Sequence, residues 1–125
     1  MLLSRVLSIA LSAALVPASA LAQPAAVQTI HLSSYRILPS AIQLAAGRPV
    51  TLVFANDSGS GHDFTAKEFF AQARITAGAA PGGQVELRGH ESKSVTLIPA
   101  AGTYPAHCSH FLHASFGMKG VIVVR

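Results

Sequence analysis

The chain has 125 residues, half of them hydrophobic, with nine lysines and arginines against five aspartates and glutamates and a formal net charge of +4. A chain of this length is expected to form one small domain around a single core. The basic residues are scattered and form no run, which argues against a nucleic-acid-binding surface.

The N-terminal segment has the features of a secretory signal peptide. A short positive head that ends at Arg5 precedes an apolar run over residues 6–16, and two small-x-small cleavage patterns follow, the second ending at Ala22. A membrane anchor is the alternative, but the run is shorter than the ~20 apolar residues that cross a bilayer. We therefore predict a signal peptide over residues 1–22, export to the periplasm, and one mature domain over residues 23–125. Loss of Arg5 would leave that domain with a formal charge of +3.

Cys108 is the only cysteine in the chain. An exported domain with one cysteine forms no internal disulfide, and its thiol is reactive unless something occupies it. A buried, inert thiol is one outcome and metal coordination is the other. The histidine and the methionine that follow Cys108 favour metal coordination.

The mature chain is a series of short segments with strand-like patterns. Alternation of apolar and polar residues predicts the first strand, and β-branched and aromatic residues predict most of the others. Clusters of turn-forming residues separate the strands, and Pro39 suggests an edge or a bulge. The predicted strands cover residues 27–32, 41–44, 50–55, 85–88, 93–98, 104–107 and 119–124. Seven or eight such strands predict an all-β fold, a Greek-key β-sandwich.

The hydrophobic period changes after residue 64. Residues Thr65 and Glu68 match a capping box, in which each side chain would satisfy a backbone donor near the other. Two phenylalanines and an alanine follow at helical spacing, so we predict one short helix near residues 66–74 with its phenylalanines facing the core. Residues 76–83 are small residues, proline and glycine, and are predicted to form a loop.

The stretch before the last predicted strand carries the chemistry. Cys108, His113 and Met118 stand at a C-x4-H-x4-M spacing, and His62 offers a second imidazole after a strand-like run. A thiolate, two imidazoles and a weak axial thioether form the ligand set of a blue-copper electron-transfer site. Thiolate suits Cu(I) and imidazole suits either oxidation state, so the set predicts one copper ion that cycles between Cu(I) and Cu(II). Met118 is the member for which a plain core role is the alternative.

Strand alternation sorts the residues next to the thiol. Successive side chains in a strand point to opposite faces, so Tyr104, Ala106 and Cys108 should share the core face. Pro105 and His107 should share the outer face. His107 is therefore not expected to bind the same ion as Cys108.

Two motifs together carry a family resemblance: Gly61-His62-Asp-Phe64 and Gly102-x-Tyr104-x3-Cys108-x4-His113-x4-Met118-x-Gly120. They resemble the cupredoxin, or blue type 1 copper, family, and its small bacterial periplasmic members in particular. The resemblance implies an eight-stranded Greek-key sandwich with a type 1 copper at one end. It implies that His62, Cys108 and His113 are the trigonal ligands and that Met118 is the axial ligand. It also implies that the backbone around Asp63 donates to the Cys108 sulfur and tunes the potential.

Some residues depart from the family pattern. Many members have Pro-Gly before the second imidazole, where this chain has Phe111-Leu112, and His110 is an unusual addition. His107 stands beside the thiol, as does the histidine that reaches a second copper centre in multicopper oxidases and copper nitrite reductases. Those enzymes need further histidines from other domains or subunits, and the remaining histidines here form no visible second cluster. We therefore predict no catalytic residues and no enzymatic activity, while a metal role for His107 and His110 stays open.

The most direct interpretation is a one-electron carrier. Phe111, Leu112 and Phe116 flank the loop imidazole and would form a docking patch for a redox partner protein if they are exposed, or part of the core if they are buried. The alternative is a copper carrier that hands its ion to a copper-accepting protein, with His107 and His110 as acquisition ligands. A metal-free domain that kept only the fold is a third hypothesis. In each case we expect a monomer that binds no nucleic acid and makes no stable membrane insertion after signal removal.

Overall fold

A computed structural model of the chain describes residues 9–15 and 24–125. The predicted signal peptide, residues 1–22, falls mostly on residues outside these ranges, so the cleavage after Ala22 and the domain boundary stay predictions. Over the part of the chain that the structure describes, no helix has both the length and the apolar character needed to cross a membrane.

The domain is a sandwich of two five-stranded sheets. The first sheet contains, in spatial order, β2 (Arg36–Leu38), β1 (Ala26–Ser33), β4 (Val50–Asn56), β8 (Ser92–Ile98) and β6 (Arg74–Ala77). The second contains β3 (Ala41–Leu44), β10 (Lys119–Val124), β9 (Gly102–His107), β5 (His62–Thr65) and β7 (Gln84–Leu87). The β1–β4 and β3–β10 pairs are parallel and the other pairs are antiparallel. The predicted all-β sandwich is confirmed, with more strands than the seven or eight expected.

The sequence gives the least indication of strand β6, Arg74–Ala77. Every residue of β6 is exposed, so the strand shows no inward-facing apolar residues at alternate positions. It pairs with the edge of β8, where a register irregularity falls between Ile75 and Ala77. The predicted short helix is present but ends at Gln72, and the loop predicted to begin at residue 76 was wrong, because pairing with β8 makes these residues a strand.

The core lies between the two sheets and fixes β5 against β4. Along β4, Val50, Leu52 and Phe54 point inward at alternate positions. The ring of Phe54 meets the ring of Phe64 from β5 with 4.8 Å between their centroids. Both rings are fully buried, and each such burial contributes roughly 1.5–3 kcal/mol. This packing anchors β5 and with it His62, the first residue of the strand.

The helix α1, Lys67–Gln72, is shorter than predicted and begins differently. Its N-cap is Ala66, and no side chain caps it. The predicted capping box was wrong because Thr65 belongs to β5, where its hydroxyl donates to the Asp63 carboxylate at 2.8 Å. The phenylalanines of α1 are buried in the core, as the sequence predicts.

The last two strands carry the loop over residues 108–118. In the antiparallel β9–β10 pair His107 lies opposite Lys119, and the Cys108 amide donates to the Met118 carbonyl at 3.1 Å. Gly117 closes the turn with a φ of 109°, which favours glycine. The only register pair that joins β5 to β9 is Thr65 opposite His107, so β5 runs back alongside this loop.

Candidate metal centre

Three potential ligands meet at one end of the sandwich. One nitrogen each from His62 and His113 and the sulfur of Cys108 all lie within 4.8 Å of one another. The two Nδ1 atoms are 3.2 Å apart, and Cys108 Sγ lies 3.5 Å from His113 Nδ1. Donor atoms bound to a single ion at about 2.0–2.3 Å are separated by similar distances. The three side chains thus converge on a common point.

The His62 ring is held in place by a hydrogen bond on the side away from the other ligands. Its side chain is fully buried, and its Nε2 lies 3.0 Å from the hydroxyl oxygen of Ser34, just after β1. When Nε2–H donates to that oxygen, Nδ1 carries a free lone pair directed at the other ligands. Nothing in the spacing of Ser34 and His62 along the chain indicates that the fold brings them together.

Cys108 directly follows β9 and continues its inward-facing row. Its side chain is buried with those of Tyr104 and Ala106, whereas Pro105 and His107 are exposed, as alternation predicts. The Asp63 backbone N–H donates to Cys108 Sγ at 3.4 Å. The outward orientation of His107 keeps its ring away from the thiol face of the strand.

Burial shifts two of the three donors toward their neutral forms. Burial raises the pKa of the Cys108 thiol, while backbone hydrogen bonds from Asp63 and His110 act in the opposite direction. Burial also lowers the pKa of His62, and the nearby His113 and His110 rings lower it further. A neutral imidazole is the form that binds a metal, but the thiol has to lose its proton first.

Met118 lies fully buried at the base of the loop, immediately before β10. Its backbone connects the other two loop residues of interest: its carbonyl accepts from the Cys108 amide, and its amide donates to the His113 carbonyl, both at 3.1 Å. The side chain of Met118 is fully buried and belongs to the hydrophobic core. Its role as axial ligand stays a prediction.

The loop on both sides of His113 presents an apolar surface. Phe111, Leu112 and Phe116 are 87%, 48% and 62% exposed, so these side chains are not part of the core. Tyr35 extends the same surface, since its ring packs against His113 at 4.9 Å and against Phe116 at 5.1 Å between centroids. We call these four residues the apolar rim. No motif in the sequence indicates that Tyr35 belongs to this surface.

His110 lies at a second edge of the centre. Its ring centroid is 5.3 Å from that of His113, and its Nε2 is 2.8 Å from Glu86 Oε1 on β7. Donor atoms of Asp63, Cys108 and His110 also lie within 4.8 Å of one another, so the thiol belongs to two groupings of potential ligands.

The donor set fits copper. A buried thiol and two imidazoles combine a soft ligand for Cu(I) with ligands that either oxidation state accepts. The predicted copper cofactor is thus supported by a His-Cys-His group of the required chemistry.

Comparisons with known proteins agree with this geometry. The model of the protein family described as "Cupredoxin-like domain" matches residues 5–124 of the chain. No curated protein sequence matches it.

Solved structures with the same fold include two auracyanins and a larger enzyme. A dithionite-reduced auracyanin from the photosynthetic bacterium Roseiflexus castenholzii superposes with a TM-score of 0.62 at 19% identity, over 82% of this chain and 99% of that one. Auracyanin A from Chloroflexus aurantiacus, described as a "blue" copper protein, gives 0.55 at 21% identity over 79% and 99%. A multicopper oxidase from Campylobacter jejuni gives 0.64 at 14% identity over 82% of this chain, which spans only 30% of that oxidase. The chain belongs to the cupredoxin-like domain family, and copper is the cofactor that its donor group and this family indicate.

Proposed function

We propose that this protein is a one-electron carrier of the periplasm with a type 1 copper site. His62, Cys108 and His113 would hold the ion in the trigonal positions and Met118 would be the axial ligand. The observation that carries the proposal is the convergence of two imidazoles and a thiol within 4.8 Å from opposite ends of the domain sequence.

The chain's own residues supply what such a site requires. Bound copper would contribute the exchange of one electron between its two oxidation states. The protein keeps water from two of the donors, since His62 and Cys108 are 0% and 1% exposed. The Ser34 contact and the backbone hydrogen bonds across the loop hold the donors in place, so that little rearrangement accompanies a change of charge.

The apolar rim gives the electron a route out. His113 is the half-buried donor, and its ring packs against Tyr35, which in turn packs against exposed Phe116. A redox partner that covered Phe111, Leu112 and Phe116 would reach the imidazole edge without displacing any ligand. We place partner docking on this surface and assign no catalytic residues.

The auracyanins give external support for this function. They share the fold, and nearly the whole length of each is covered by this chain. One of them is described as a blue copper protein. We infer the same copper-binding role for this chain as part of the proposal. The signal-like residues 1–22 support a periplasmic location.

Reconstitution with Cu(II) tests the proposal. The loaded protein should become intensely blue and should lose and regain its colour through reduction and reoxidation. Cys108→Ser should abolish the colour, whereas Ser109→Ala, next to it, should retain it. A colourless copper complex with intact Cys108 would contradict the proposal.

A copper carrier is the second candidate, and the position of His110 favours it. The His110 side chain is 31% exposed and contacts Glu86, and its ring centroid lies 5.3 Å from that of His113. This position suits a residue that binds copper first and passes it to the buried ligands. Rapid transfer of copper to a competing chelator, slowed in His110→Ala, together with no reversible reduction, would favour delivery of the ion over delivery of electrons.

A further inference from the structure

Asp63 is a fully buried carboxylate beside the thiol. Its Oδ1 accepts hydrogen bonds from the Ser109 amide and the Thr65 hydroxyl, both at 2.8 Å. Its Oδ2 accepts from Gln84 Nε2 at 2.8 Å and from the Ser109 hydroxyl. Two acceptor positions used on each oxygen are what an ionised, acceptor-only carboxylate provides.

The charge of Asp63 has no strong cationic partner nearby. Among residues 24–125, no lysine or arginine nitrogen lies within 4.0 Å of its carboxylate. The nearest ionisable nitrogen is His110 Nε2 at 3.7 Å, and that atom is already 2.8 Å from the Glu86 carboxylate. Neutral donors surround the negative charge, but they do not cancel it.

The same residue reaches the proposed copper ligand in two ways. A carboxylate oxygen of Asp63 and the sulfur of Cys108 belong to one group of atoms that all lie within 4.8 Å. The Asp63 amide also donates to that sulfur at 3.4 Å. Charges separated by a few ångströms in a dry interior interact strongly and are only weakly screened by salt.

We propose that the buried negative charge of Asp63 favours Cu(II) over Cu(I) and thereby holds the reduction potential of the site down. The proposal rests on the proposed copper site and adds a role for the side chain. Cu(II) carries one more positive charge than Cu(I), so an anion close to the ligand sulfur stabilises the oxidised form more. The amide of the same residue acts in the opposite direction, because its hydrogen bond withdraws electron density from the sulfur.

Asp63→Asn separates this electrostatic role from a merely structural one. The amide oxygen can keep the contacts to the Ser109 amide and the Thr65 hydroxyl. The amide nitrogen can donate to the Ser109 oxygen, and a flipped Gln84 can offer its own oxygen in place of its nitrogen. The substitution therefore removes the charge while the hydrogen-bonding positions remain usable.

The measurement is the equilibrium potential of the copper-loaded protein, checked by separate Cu(I) and Cu(II) dissociation constants from chelator competition. Asp63→Asn should weaken Cu(II) binding relative to Cu(I) binding by about tenfold or more, which raises a one-electron potential by about 59 mV per factor of ten. Glu86→Gln is the matched control: it removes the same charge from a side chain that is 52% exposed, and it should shift the ratio much less because water screens it.

If Asp63→Asn does not fold, Gln84→Lys tests whether the charge of Asp63 lowers the reduction potential. It would place an ammonium group against the intact carboxylate and should raise the potential, whereas Gln84→Met should not. The inference is overturned if the blue protein keeps its potential in Asp63→Asn to within the Glu86→Gln shift, or if Gln84→Lys and Gln84→Met behave alike. A wild-type protein that forms no blue copper complex would instead refute the proposed function itself.

Discussion

The Nδ1 atoms of His62 and His113 lie 3.2 Å apart although 51 positions separate the two residues in the chain. The two rings differ in their surroundings: His62 is fully buried behind Ser34, while His113 is half-buried beneath the apolar rim. This asymmetry makes the two imidazoles separable by experiment.

Removal of each imidazole should have a different consequence. His113→Gly opens a gap next to solvent, so added imidazole should enter it and restore the blue absorption. His62→Gly leaves its gap in the interior, where free imidazole has no access, and added imidazole should not restore the colour. Visible spectra of the copper-loaded variants with and without imidazole measure this. Equal rescue of both variants would contradict the burial difference.

Ser34 should matter for copper affinity even though it offers no ligand. Ser34→Ala removes the contact that orients the His62 ring, and the loss of such a supporting hydrogen bond costs roughly 10–100-fold in metal affinity. Ser33→Ala, one residue earlier at the end of β1, is the matched control and should bind copper normally. Competition with a chelator of known affinity gives both constants. Wild-type affinity in Ser34→Ala would show that packing alone orients the ring.

Copper binding should release a proton that comes from the thiol. Burial raises the pKa of Cys108, so the thiol is protonated at pH 7 in the metal-free protein, while the lowered pKa of His62 keeps that ring neutral. Binding of Cu(II) should therefore displace about one proton from Cys108. Calorimetric titration in buffers of different ionisation enthalpy counts the proton, and Cys108→Ser should lose it.

The metal-free protein should become less stable in mild acid. Burial lowers the pKa of His62 in the folded state, so between that value and the unfolded value of about 6.5 the unfolded chain binds more protons. The contribution of His62 is therefore present above about pH 6.5 and is lost as the pH falls toward the folded pKa. Urea denaturation of wild type and His62→Gln from pH 8 to pH 5 tests this. The variant should show the smaller pH slope, and parallel curves would contradict it.

The apolar rim should control electron exchange without affecting the copper. Phe111→Ser removes the most exposed aromatic side chain near His113, so the visible spectrum should stay the same while electron self-exchange between copies slows by roughly tenfold, as expected for a contact that dominates an interface. Val27→Ser is the matched control, because Val27 is 69% exposed on β1 and not among the rim residues. Line broadening in magnetic resonance spectra of mixed oxidation states gives the rates. Equal slowing in both variants would place docking elsewhere.

The sequence predicts well what depends on short spacings. Cys108, His113 and Met118 lie within one loop, and the alternation along β9 correctly separates buried Cys108 from exposed His107. The strand patterns predicted the sandwich because inward-facing residues alternate regularly on strands such as β4, and the resemblance to cupredoxins implied the same fold.

Features that depend on the assembled fold were out of reach. Ser34 and Tyr35 follow β1, which pairs with β4 in the first sheet, whereas the strands that carry the ligands belong to the second sheet. The two residues reach the centre only because the two sheets pack together. The prediction of a capping box failed because Thr65 is paired in β5 and its hydroxyl donates to the Asp63 carboxylate. Strand β6 was not predicted because all its residues are exposed and so show no alternation of buried and exposed side chains.

X-ray absorption at the copper edge of the loaded protein, compared across wild type, His62→Gly and Cys108→Ser, tests the central claim most directly. The account predicts one short copper–sulfur contact that is lost in Cys108→Ser and two imidazole nitrogens, of which one is lost in His62→Gly. A copper ion whose ligand shell is unchanged by either substitution would contradict it.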